Sequence, residues 1–293
     1  DIAGAARAYS VPKTGPRFQP GRNVRIMPEC RDKERTTTME LEFERDTLQG
    51  YDTVAELTLC QEETLESIVP DACPDILRIV DVCGQAMLHS KQVKNGAAEL
   101  GGLVRAVILY EPDGGAGLRR MEVGLPFRCQ AEAPGLTEQG RVLARPRLRC
   151  AEARALNSRK VLLRVDLAVD VTACQSVEQP LCRGVLDPER GCVCQRCREQ
   201  VCGLLSAVEE KPFTFSQRVR LPAGQGEPPQ VMALWAETEC GECKRVGAKL
   251  IFKGEAELHM LLQEPGGGLA ADVERLPFSQ VLEVPEGDEA GDS

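Results

Sequence analysis

The chain has 293 residues, enough for two ordinary domains that each bury a core without covalent staples. Its 36 basic residues against 45 acidic ones leave a net charge of -9, which repels phosphate backbones and argues against nucleic acid as a partner. No apolar run reaches the eighteen or so residues of a membrane span, and no charged segment followed by an apolar core marks a secretory signal, so the chain reads as made in a cytosol without membrane insertion, where its 14 cysteines are out of character.

Residues 1–38 carry eight Lys or Arg against four acids, with scattered Pro and Gly and no apolar periodicity. They read as an extended basic arm, or as sequence upstream of a translation start at Met39. From Met39 onward the pattern is period two, the signature of strands with one face on a core. Met39, Leu41 and Phe43 alternate with Glu40, Glu42 and Glu44, a solvated acidic face. Asp71 is placed to cap a short helix from Pro74 through Ile76, Leu77, Ile79 and Val80, whose spacing matches a helical face. Asn95-Gly96 suits a type I′ hairpin turn, and Asp113-Gly114-Gly115 separates two further strands. Arg141, Arg145, Arg147 and Arg149 form a basic strip opposite Val142, Ala144, Leu148 and Cys150; a solvated strand face is one account, and a lattice contact with an acidic strip on a neighbour is another. The longest alternation runs through Val161, Leu163, Val165, Leu167, Val169 and Val171. Phe213, Phe215, Val219 and Leu221 predict a later strand.

An internal repeat organises these elements. "VPDACPDILRIVDVCGQAM" from Val69 corresponds to "LPAGQGEPPQVMALWAETE" from Leu221. Gly102 and Gly254 fall at the same distance from Pro70 and Pro222, as do Leu109 and Leu261, and the "LPF" of Leu125–Phe127 recurs at Leu276–Phe278. The first copy continues through "ALNSRKVLLRVDLAV", and the second lacks that continuation. The expected fold is therefore all-β: two related sandwich or barrel-like domains in tandem, with one or two short helices. The expected boundaries are 39–176 for the first domain, 177–208 for a cysteine-rich connector and 209–293 for an incomplete second domain.

Catalytic patterns are absent. Only His89 and His259 are available as imidazole bases, and there is no nucleophile elbow, phosphate loop or dinucleotide fingerprint. His259, in "AELHMLL", reads as an ordinary strand residue. The chain is not expected to be an enzyme.

The segments "IVPDACPDILRIV", "GGLVRAVILY" with its Gly-rich turn, "LPF" and "ALNSRKVLLRVDLAV" resemble the SPOCS family, the domain of spore coat association in spore-forming bacteria. The likeness covers about Met39 to Val284, more closely in the first copy. It implies a non-enzymatic scaffold, made in the mother-cell cytoplasm and deposited on the spore coat or exosporium beside other coat proteins. Some members carry a LysM module that docks a morphogenetic protein. No such segment occurs through Ser293, which moves the expectation from docking toward shell formation.

The cysteines have three readings. Cys182, Cys192, Cys194, Cys197 and Cys202 crowd the connector, and Cys240-Gly241-Glu242-Cys243 stands in the second copy where the first has Leu88-His89-Ser90-Lys91. Exposed thiols in these places suit intermolecular disulfides that lock self-assembled copies together. Cys194, Cys197, Cys240 and Cys243 also form a paired Cys-x-x-Cys set suited to zinc, which would staple the connector and fits an adaptor that binds another coat protein. Others, Cys60, Cys83 and Cys150 among them, are expected to be inert buried residues. Apart from that zinc, no cofactor is expected.

Overall fold

The computed structural model describes residues 42–115, 117–186, 205–221 and 227–284. The basic arm therefore lies outside the described residues. Strands in chain order are β1 Phe43–Ile68, β2 Ile76–Lys94, β3 Ala97–Pro112, β4 Arg119–Glu132, β5 Arg141–Asn157, β6 Lys160–Val185, β7 Gln230–Val246, β8 Lys249–Gln263 and β9 Leu269–Glu283. They form three antiparallel three-stranded sheets, ordered β1-β6-β5, β2-β3-β4 and β7-β8-β9. The protein is all-β, and among the described residues there is neither a helix nor a closed barrel.

The helix expected from Pro74 to Val80 is corrected. The Cys73 N–H donates to the Pro70 carbonyl at 2.9 Å, closing a turn, and the next backbone groups are taken by strand neighbours: Ile76 N–H donates to Ser158 and Asp113 N–H to Asp75. Register shifts between Ile76 and Arg78 and between Ile79 and Asp81 explain the misleading spacing, since each bulge moves an apolar residue to the other face. Leu77 and Val80 consequently stand exposed, at 64% and 46%.

The compact unit formed by residues 52–175 and 207–284 holds both copies of the repeat. In the first copy, sheets β2-β3-β4 and β1-β6-β5 enclose one core, to which Ile108, Tyr110, Val123, Leu125 and Phe127 contribute from one side and Val161, Leu163, Val165, Leu167, Val169 and Val171 from the other. That β6 series is at most 1% exposed, as its strict alternation predicts, and burying each such side chain stabilises the fold by about 1.5–3 kcal/mol. Asn95 and Gly96 both have positive φ, 50° and 75°, the geometry of a type I′ turn between β2 and β3.

Repeat anchors become cross-strand pairs. Gly102 lies opposite Phe127 and Gly254 opposite Phe278, each ring lying over the strand where its glycine has no side chain. The bulges repeat as well: shifts at Ile79/Asp81 and Leu88/Ser90 in β2 match those at Val231/Ala233 and Cys240/Glu242 in β7. The repeat is thus one structural module used twice.

The copies differ in what covers them. Phe213, Phe215, Val219 and Leu221 pack on the β8–β9 core residues Ala256, Met260, Leu276 and Phe278, but residues 214–221 form no strand, a correction to the expected ladder. Alternation reports the buried face and says nothing about backbone pairing. The rings of Phe213 and Phe278 pack at a tilt of 40° with centroids 5.4 Å apart. A small cluster of Val107, Leu109 and Met232 joins the other face of the β3 sheet to that of the β7 sheet.

The other compact unit, in its described part, consists of residues 42–51, which include the start of β1, residues 176–186, which include the end of β6, and residues 205–206. Leu186 N–H donates to the Glu42 carbonyl and Tyr51 N–H to the Leu205 carbonyl. Phe43 is 41% exposed, so the alternation beginning at Met39 does not bury it.

Two arginines of the strip, Arg141 and Arg147, are matched by acids of the same chain. Arg147 holds Asp170 through two bonds of 2.8 and 3.0 Å, Thr58 adds a third to Asp170, and Arg141 stands 3.9 Å from Glu209. The hydrogen bond from Arg147, followed by that from Thr58, lowers the Asp170 carboxyl below its ordinary value against an opposing effect of burial. The resulting stabilisation is fully present above the unfolded-state value, about 4, and is lost as pH falls through the lower folded-state value. Asp170→Asn is therefore expected to flatten the pH dependence of stability below about pH 4, measured by urea unfolding across that range. An unchanged slope would show that this pair contributes nothing to acid sensitivity.

Candidate functional site, an open thiol-bearing strand

Of the seven cysteines singled out for cross-linking, Cys192, Cys194, Cys197 and Cys202 lie outside the described residues. Cys182, Cys240 and Cys243 are exposed. Cys60 and Cys150 are exposed too, which corrects their assignment as buried residues. A register shift between Leu148 and Cys150 turns Cys150 outward, and Cys60 accepts a hydrogen bond from Arg149 at 3.7 Å. Cys73, Cys83, Cys129 and Cys174 are the sheltered ones among the described residues, and burial pushes the Cys83, Cys129 and Cys174 thiols up. A raised thiol has less reactive thiolate at neutral pH.

Cys240 and Cys243 share a face of β7 because of a bulge. Residues three apart on a regular strand point to opposite faces. Here Cys240 pairs with Gly254 and Cys243 with Phe252, with Gly241 as the extra residue between them. Gly254 and Phe252 are two apart on β8, so the thiols opposite them lie on one face. Cys240 donates weakly to the Lys253 and Glu242 carbonyls, while burial and then the neighbouring Cys240 push the Cys243 thiol up.

That same face is covered in the first copy. Leu88, the counterpart of Cys240, is buried, and Lys91, the counterpart of Cys243, donates to the Val142 carbonyl of β5 at 2.5 Å and pairs with Glu210. Leu148 of β5 also reaches Gly84 of β2. On β7 no described strand takes the place of β5, and every residue from Glu237 to Val246 is exposed. β7 is the edge of its sheet, so from Glu237 to Lys244 its outer backbone groups have no ladder partner among the described residues, and two thiols stand beside them.

No family model, curated protein or solved structure matches this chain. Function has to be read from the chain's own chemistry. Among the described residues there is an open depression of about 440 Å³ whose lining includes Leu77, Val80, Pro112, Leu118, Leu269 and the carboxylate of Glu111. His259 stacks on Trp235 at 5.2 Å, with Glu257 3.9 Å away. Among the described residues no three His, Cys, Asp or Glu side chains converge as a metal site. The zinc set needs Cys194 and Cys197, so the described residues supply only its Cys240 and Cys243 half.

The decisive local feature, the bulge that aligns the thiols, is not written in the cysteine spacing. The signal was the alignment of "Leu88-His89-Ser90-Lys91" with "Cys240-Gly241-Glu242-Cys243": two positions that face a covering strand in one copy carry thiols in the other.

Proposed function

We propose that this chain is a non-enzymatic structural protein that associates with copies of itself and is locked by disulfides through its exposed cysteines. The observation that carries this reading is the open end of β7, where an unpaired strand edge and two exposed thiols coincide. An unpaired edge recruits another chain by extending the sheet, and a disulfide then holds the contact by restricting the separated state, by about 2–4 kcal/mol per bond.

The resemblance to the SPOCS family supplies the biological setting: synthesis in the mother cell and deposition in the coat or exosporium among other coat proteins. Within this chain two of the motifs, "VPDACPD" and "NSRK", far apart in sequence, meet where Arg159 donates to the backbone of Val69, Pro70 and Cys73.

Purified protein is expected to sediment as large species after oxidation and to return to small ones with reductant. A clean monomer under both conditions would end the self-association reading. The shared face of Cys240 and Cys243 also favours a second reading, an adaptor for another coat protein whose connector is stapled by zinc. Its signature would be about one zinc per chain, with thiols that react only after chelation.

A further inference from the structure

We infer that the Glu237–Val246 stretch of β7 is a two-fold homodimer contact, in which this strand pairs antiparallel with the same strand of a second copy and places Cys240 opposite Cys243 of that copy, twice. The inference rests on the self-association proposed above and specifies its surface, register and linkage.

Three observations select a second copy as the occupant. First, β7 is the edge of its sheet and no described strand pairs with its outer side, so a strand is the element that completes it. Second, the charges on β7 are self-complementary. Glu237 and Glu239 precede the bulge, Lys244 and Arg245 follow it, and all are exposed. An antiparallel pairing sets acidic against basic ends, whereas a parallel one sets like against like. Third, the bulge selects the register. A symmetric antiparallel pair has one residue opposite itself on the two-fold axis, and partners directly opposite share a face. With Gly241 as the extra residue, placing Glu242 on the axis brings Cys240 opposite Cys243 of the second copy and Glu239 opposite Lys244. Glu242 does not oppose its own copy as a bare charge, since Lys253 of the same chain stands 3.3 Å from it.

Bulges and charges are also how proteins blunt an edge against pairing. The same bulge occurs in β2 at Leu88/Ser90, so it belongs to the module and is not specific to this edge. The charges are segregated by sign along the strand, which favours a partner of the opposite polarity.

Residues directly opposite in an antiparallel pair have Cα atoms roughly 4.5–5.5 Å apart, inside the roughly 4.4–6.8 Å window of a disulfide. Each bond joins the Sγ of Cys240 to the Sγ of Cys243 in the other copy. A low-molecular-weight disulfide such as oxidised glutathione accepts the two electrons and two protons of each thiol pair and leaves as two thiols.

The test uses the full chain, kept reduced and then exposed to oxidised glutathione, followed by trypsin without reduction. No Lys or Arg lies between Leu221 and Lys244, so both cysteines fall in one peptide, 221–244. The expected product is a covalent dimer of that peptide. Lys244→Glu, which moves the cut to Arg245 and sets like charges opposite each other at two symmetric places, is expected to lower the yield of the corresponding 221–245 dimer at least about fivefold. The double swap Glu239→Lys with Lys244→Glu, which adds a cut after residue 239 and leaves both cysteines in peptide 240–245, restores complementarity and is expected to return the yield of that dimer to within about twofold. Cys240→Ser with Cys243→Ser is expected to abolish the peptide dimer while reduced protein still associates.

A single 221–244 peptide with an internal disulfide would overturn the inference. So would a bond from it to a different cysteine, or a dimer yield indifferent to Lys244→Glu. If large oxidised species form but are linked elsewhere, the edge contact falls and self-association stands. If the chain stays monomeric throughout, both fall.

Discussion

Arg159→Ala is expected to lower the unfolding free energy by about 3–5 kcal/mol, the largest loss for any side chain outside the apolar core. One guanidinium donates to the carbonyls of Cys73 at 2.7 Å, Val69 at 3.0 Å and Pro70 at 3.1 Å, and to the carboxylates of Asp75 at 3.2 Å and Asp71 at 3.4 Å. It thereby ties the β5–β6 turn to the segment that enters β2. Bonds from a charged donor contribute about 1.5–3 kcal/mol each, and a buried acceptor left unpaired costs a comparable amount. The side chain is 33% exposed, so water replaces part of what is lost and the total stays well under the sum. Arg159→Lys keeps the charge but not the planar fork and is expected to recover less than half. Asp71→Asn is expected to change stability by less than about 0.5 kcal/mol, because that carboxylate is fully solvated and surface pairs contribute little. Urea midpoints at constant slope measure all three. An alanine variant within about 1 kcal/mol of the parent would mean that packing, and not this clamp, holds residues 69–75.

The clamp shows where reading the sequence stops. Strict alternation made β6 legible, because a strand buried on one face and long enough to repeat the pattern has few alternatives. Asn95-Gly96 was legible for a local reason, the positive φ that a type I′ turn demands. The repeat was legible as spacing, but its cause, a phenylalanine lying over a glycine on the neighbouring strand, depends on register. Residues 76–80 misread as helix because two bulges shift the apolar residues between faces, and a bulge has no dependable sequence signature. That Cys240 and Cys243 share one face failed to show for the same reason: on a regular strand they would point apart. Arg159 could not be assigned at all, since its acceptors lie some ninety residues away and only the folded chain brings them together.

The glycine–phenylalanine pairs provide a matched experiment within one molecule, and Gly102→Ala is expected to be the more damaging of two identical substitutions. A Cβ at Gly102 would stand 2.2 Å from the Phe127 Cζ and 2.5 Å from the Met87 carbonyl oxygen. At Gly254 it would stand 2.7 Å from the Phe278 Cζ and 2.2 Å from the Glu239 carbonyl oxygen. Both clash with backbone as well as ring, so rotating the ring does not make room and the strands must separate. What differs is the freedom to yield. Phe127 is 2% exposed in a core closed by the second sheet, whereas Phe278 is 9% exposed and packs under an extended segment that makes no ladder. Overpacking in a closed core costs about 1–3 kcal/mol, rising where backbone must move; Gly102→Ala is expected at or above the top of that range and Gly254→Ala in its lower half. Thermal or urea unfolding of the two variants decides it, with hydrogen exchange locating the loss in β3–β4 for one and in β8–β9 for the other. Equal costs would mean that the second copy is as tightly enclosed as the first. The open face of β7, on which the assembly proposal depends, would then be less yielding than its exposure indicates.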